Sequence, residues 1–122
     1  MKIEITHTAG VAIAEVISDH IIVNHTEDAL DILGNCSYQG ADNIILHEKN
    51  IIPAFFDLKT TIAGDILQKF STYQVRLAIV GDFSKYTSQS LKDFIYESNK
   101  GGRINFVDTV AAATEKLVKQ SR

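Results

Sequence analysis

Val75-Arg76-Leu77-Ala78-Ile79-Val80 runs directly into Gly81-Asp82-Phe83-Ser84. Six mostly aliphatic and β-branched residues, closed by a glycine–aspartate turn signal, predict a buried strand and the loop leaving it. A continuous apolar run, rather than strict alternation, suits a strand covered on both faces, as in a parallel sheet. Asn43-Ile44-Ile45-Leu46-His47 reads the same way and is followed by the polar Glu48-Lys49-Asn50. Between the two strands, residues 54–72 carry Phe55, Leu58, Ile62, Ile66 and Phe70 at helical spacing, with Ala63 and Leu67 widening the stripe. One long helix is predicted there, with Pro53 in its first turn and the small pair Ala63-Gly64 packed close to the sheet.

Working outward, Ser88 or Ser90 caps a helix burying Leu91, Phe94 and Ile95, which Asn99-Lys100-Gly101-Gly102 brings to an end. Ile104-Asn105-Phe106-Val107 is a last strand, and Asp108 or Thr109 caps a final helix with Ala112, Ala113 and Leu117 facing inward. Toward the N-terminus, Met1–Thr8 alternates, Ala9-Gly10 marks a turn, and Val11–Ile17 is a second strand. Ile21-Ile22-Val23 is a further small strand or an extended lead-in; Thr26 caps a helix over 27–38 whose buried spacing is Ala29, Leu30, Leu33 and Cys36. Two strands followed by alternating helix and strand predict a single α/β domain over 1–122. Its sheet is mixed but mostly parallel, of about five strands packed by helices.

The chain's 122 residues fit one domain, and 45% hydrophobic with 22% charged residues is ordinary for a globular protein. Twelve basic against fifteen acidic residues give a net charge of −3, so nucleic acid is not an expected partner. No apolar run approaches the length of a membrane span, and Met1–Ile5 lacks the core of a signal peptide. A lone cysteine, Cys36, excludes an internal disulfide and fits a reducing, cytoplasmic setting.

Four blocks in order carry a resemblance: Phe55–Thr60, Ala63–Phe70, Gly81–Ser84 and Ser90–Asn99. They resemble a bacterial family catalogued as a domain of unknown function (number forty-one eighty), a resemblance that implies no activity. The element order is also similar to the STAS domain of anti-sigma-factor antagonists, as is Phe106-Val107-Asp108 followed by Ala111, Ala112 and Leu117. That second resemblance implies a partner-binding module. In STAS antagonists an Asp-Ser pair opens the helix after the third strand, and its serine is phosphorylated. Here those positions fall on Asp57 and on Leu58, which has no hydroxyl, while Thr60 and Thr61 lie nearby.

Candidate chemistry is sparse. His7, His20, His25 and His47 fall on different elements with no His-x3-His spacing and no cysteine pair, so no metal is expected. Cys36 sits on the apolar side of its helix and reads as a small core residue. No phosphate-cradling glycine loop follows a strand, and no cofactor is expected. The ligand-binding candidates are Asp57, Lys59 and Thr60 at the start of the predicted long helix, with Asp82 and Ser84 in the loop after the strand. Both groups belong to the C-terminal edge of a parallel sheet, where open α/β folds bind ligands. The alternative is that Asp57 caps a helix, Lys59 pairs with Asp82, and Asp82 and Ser84 satisfy a turn. The Glu97–Arg103 cluster reads as a solvated helix end.

The expected function is a small bacterial cytoplasmic regulatory or protein-interaction module, non-enzymatic, engaging a protein partner or forming a homodimer. The alternative is a small-molecule- or nucleotide-binding protein or enzyme with a cleft at 55–60 and 81–84.

Overall fold

The computed structural model describes residues 1–121 and contains one five-stranded sheet. Strands β1 (Lys2–Thr8) and β2 (Val11–Ile17) form an antiparallel hairpin. Ala9 at φ 52° and Gly10 at φ 80° make its tight turn. Strands β3 (Asn43–His47), β4 (Arg76–Val80) and β5 (Ile104–Val107) follow in order, each parallel to the one before. The mixed, mostly parallel sheet read from the sequence is therefore the one observed.

Four α-helices cover the sheet: α1 (Thr26–Tyr38), α2 (Ile62–Thr72), α3 (Gln89–Gly101) and α4 (Val110–Gln120). Strand side chains alternate between faces, and this periodicity divides the core in two. Ala14, Ile44, Leu46, Leu77, Ile79 and Phe106 face the larger cluster, which the buried faces of α1, α2 and α3 close. Ile13, Ile45 and Ala78 face the opposite way, onto Ala113, Leu117 and Val118 of α4. Three helices thus cover one face and a single helix the other. The strands buried on both faces are the ones whose sequence runs apolar without a break.

Local chemistry sets most boundaries. Ser88 Oγ accepts from the Leu91 N–H at 3.3 Å, and Thr109 Oγ1 accepts from Ala112 at 3.0 Å, so these two are the caps of α3 and α4. Gly102, at φ 87°, terminates α3. At α1 the cap is His25 rather than Thr26; the Asp28 carboxylate accepts from the N–H of Asn24 at 2.9 Å. Ile21–Val23 is an extended lead-in, with Val23 bridged to Ile51.

One element differs. The predicted helix over 54–72 is two short 3-10 turns, Pro53–Phe56 and Leu58–Thr60, and then α2. Thr61 at φ 63° breaks the run. A spacing of three residues suits a 3-10 turn as well as an α-helix, so Phe55 and Leu58 fit either. In the small pair only Ala63 packs against the core; Gly64 is exposed, and a Cβ there would meet nothing within 4 Å.

Candidate functional site

The register His47↔Val80 places Glu48 and Gly81, the next residues, side by side at the C-terminal ends of β3 and β4. Glu48 opens a 3-10 turn, Glu48–Asn50, that turns the chain away from the sheet. Its side chain lies back across Gly81. A Cβ at position 81 would stand 2.5 Å from both Glu48 Cβ and Glu48 Oε1, so glycine is what lets the carboxylate occupy that place.

Glu48 is 9% exposed, and a buried carboxylate must find donors. Three converge on it. The backbone N–H of Asp82 donates to Oε1 at 3.2 Å, Lys85 Nζ lies 2.9 Å from Oε2, and the Tyr86 hydroxyl donates to Oε2. Burial, then the hydrogen bond to Glu48 and its charge, hold the Tyr86 phenol well above the ordinary tyrosine range. The Tyr86 ring stacks on Phe56 at 5.1 Å between centroids, and Lys85 Nζ lies 5.4 Å from the Tyr86 centroid.

Asn50 fixes the facing wall. It is 1% exposed, and its Nδ2 donates to the carbonyls of Ser18 and His20, each at 2.8 Å. Its backbone carbonyl accepts from the N–H groups of Ile22 and Val23 at 2.8 and 3.1 Å, while among the described residues its buried Oδ1 has no partner. Segment 18–23 is thereby tied to the end of the sheet. The cleft that results has a volume of about 200 Å³. Ile21, Ile51, Pro53 and Phe56 supply its apolar wall, while Glu48, Lys49, Lys85 and Tyr86 supply its polar groups.

The residues singled out in the sequence lie around this end but in separate turns. Asp57 accepts from the Lys59 N–H at 3.2 Å, capping the second 3-10 turn rather than a long helix. The Thr60 hydroxyl donates to the carbonyls of Ala54 and Asp57, each at 2.8 Å. Asp82 accepts from the Ser84 hydroxyl at 2.5 Å and from the Ser84 N–H at 3.1 Å. Those two bonds, helped by the Lys85 charge, hold the Asp82 carboxyl below its ordinary range. Among the described residues, no hydrogen bond or ion pair joins Asp57, Lys59 or Thr60 to Asp82 or Ser84.

Sequence reading missed Glu48, Lys85 and Tyr86. The available signal was a polar Glu-Lys-Asn directly after an apolar strand, with a glycine directly after the neighbouring strand. Only the pairing of the two strand ends shows that one answers the other.

Elsewhere, Cys36 is fully buried and desolvation pushes its thiol up to about 11, which leaves it inert. His47 Nε2 lies 2.7 Å from Glu15 Oε2 on the face covered by α4. Among the described residues, no three His, Cys, Asp or Glu side chains stand together as a metal site. No helix among them is long and apolar enough to cross a membrane.

A family model described as Domain of unknown function (DUF4180) matches residues 8–117. No curated protein matches the chain. Among solved structures, a crystal structure from Thermotoga maritima, titled as a candidate anti-sigma factor antagonist, is similar over 94% of this chain and 93% of that one. The identity between the two is 13% and the TM-score 0.46.

Proposed function

We propose, for a chain that belongs to this family of unknown function, a small non-enzymatic regulatory module that acts by binding at the C-terminal end of its sheet. The observation that carries the reading is the state of Glu48. Three donors already occupy its carboxylate, using most of its roughly four lone-pair positions. A general base needs a lone pair free to take a proton, and a general acid needs a proton that leaves near neutral pH. Three donors leave Glu48 little capacity to take another proton, and Tyr86 holds its own. What remains is a fixed pocket with an apolar wall and the ammonium groups of Lys49 and Lys85 at its mouth. That combination suits a small ligand with an apolar body and a polar or anionic head.

Asp57, Lys59, Thr60, Asp82 and Ser84 are, in this reading, the outer polar rim that a larger ligand would meet. A reducing cytoplasm fits the single buried thiol.

The test is a titration of the labelled protein with a library of small polar aromatic and aliphatic acids, followed by backbone amide shifts. The reading expects shifts concentrated at Ile21, Ile51, Phe56 and Lys85, and their loss in Lys85→Ala. Shifts concentrated elsewhere, or unchanged in Lys85→Ala, overturn it.

A second reading, a protein partner or a second copy of the chain, is favoured by a different observation. Tyr38 and Tyr73 are 93% and 61% exposed, and Tyr73 borders an apolar groove with Leu30, Leu33, Gly34 and Val75. Exposed tyrosines beside an apolar groove are typical of interface centres. Tyr73→Ser would then abolish an association seen by sedimentation; a monomer showing no partner at any concentration argues against it.

A further inference from the structure

We propose that the opposite, N-terminal end of the sheet binds a small phosphate-bearing ligand in a pocket built from Arg76, Lys100 and Arg103. The register Leu77↔Ile104 sets Arg76 and Arg103, the preceding residues, at the same level on neighbouring chains. Lys100 comes from the last turn of α3, immediately before the chain reverses at Gly102. The three cations line a cavity of about 370 Å³, together with Gly101, Gly102 and Gln120. Among the described residues, no carboxylate lines it and none of the three cations is in an ion pair.

A second observation points the same way. Arg103 Nη1 is buried and has no hydrogen-bond acceptor among the described residues. A buried donor without a partner is costly, and a charged one more so; such a group usually marks a place where a water or an ion belongs. Helix dipoles account for a lysine in the last turn of α3, but not for two arginines at the starts of strands.

The floor of the pocket is already set. Asn105, fully buried, donates to the carbonyls of Gly102 and Leu77 at 2.9 and 3.2 Å, and its amide pairs with that of Gln120 at 3.2 and 3.3 Å. A ligand would meet a fixed surface and lose little affinity to reordering it. Past Lys100 and Gln120 the depression continues into a second cavity of about 540 Å³, where Lys116 and Lys119 add positive charge beside one carboxylate, Glu115, and Val107 and Ala112 add apolar surface. This concentration of cations occurs in a chain of net charge −3.

Two guanidinium forks and an ammonium match the oxygens of a phosphate monoester, and the adjoining cavity is of a size to take a nucleoside or sugar. The site lies at the end of the sheet away from the Glu48 cleft, so its failure leaves the proposed function untouched.

The experiment is calorimetric titration of the full chain at low salt with inorganic phosphate, adenosine monophosphate and adenosine, with chloride matched throughout. The monophosphate should bind and adenosine should not. Inorganic phosphate binding as tightly as the monophosphate also supports the site, and identifies free phosphate as its ligand. Arg76→Gln and Arg103→Lys, each confirmed folded by circular dichroism, should weaken binding about tenfold or more. Should Arg103→Lys fail to fold, Arg76→Gln and Lys100→Gln decide. Absence of binding by both phosphates up to about 10 mM, or affinity unchanged in the folded variants, overturns the proposal.

Discussion

The two ends of the sheet differ in how their buried charge is answered. At the C-terminal end a buried carboxylate, Glu48, meets a lysine, a tyrosine hydroxyl and a backbone N–H. At the N-terminal end two arginines and a lysine face a cavity that, among the described residues, has no carboxylate, and there one guanidinium nitrogen is buried without a described partner. A polar cluster whose groups satisfy one another holds the fold together. A cluster left short of partners keeps its binding capacity for something outside the chain. The comparison therefore assigns different work to two sites that composition alone would not separate.

The contrast breaks most easily at Glu48. Glu48→Gln removes the charge, leaves Lys85 without its counter-ion and sets an amide against three donors. It should lower the unfolding free energy by about 2–4 kcal/mol in urea denaturation, the range for breaking one partner of a buried cluster. Gly81→Ala comes next, because its methyl would collide with Glu48 Cβ, an atom held close to the backbone. A loss of about 1–3 kcal/mol is expected from such overpacking, measured the same way.

Tyr86→Phe removes one of the three donors and should cost about 1 kcal/mol near neutral pH. It carries a sharper signature in alkali. The phenol's pKa is raised in the folded chain above the ordinary tyrosine value of 10.0, so its contribution is complete below that value and is lost as pH rises beyond it. Wild type should lose thermal stability above about pH 10 more steeply than Tyr86→Phe; parallel profiles would contradict the Glu48–Tyr86 bond. The smallest effect belongs to the other end. Arg76→Gln and Lys100→Gln should each change stability by no more than about 0.5–1 kcal/mol without an anion present, since among the described residues neither is in an ion pair and Lys100 loses only the Tyr96 ring, 6.0 Å away.

Most of the fold was legible because each strand and helix carries its own period and its own stop. The apolar runs of β3 and β4, the Ser88 and Thr109 caps and the Gly102 reversal are local signals, and the structure obeys them. Thr61 was not legible. Its left-handed conformation joins the 3-10 turns that bury Phe55 and Phe56 to α2, which packs into the same core, and nothing in a threonine announces it. The candidate site was legible as a place and less so as a set of residues. Parallel strands pointed to their own C-terminal edge, and a cleft is there. Glu48 and Tyr86 are 38 residues apart, and their bond exists only once β3 and β4 are in register.

The central claim is that the Glu48 carboxylate is answered within the chain and the Arg103 guanidinium is not, and paired urea unfolding of Glu48→Gln and Arg103→Gln without added anion tests it most directly. The account predicts a loss of about 2 kcal/mol or more for the first and no loss for the second, because removing a buried unpaired charge relieves a cost. Equal losses, or a larger loss at Arg103, would contradict it.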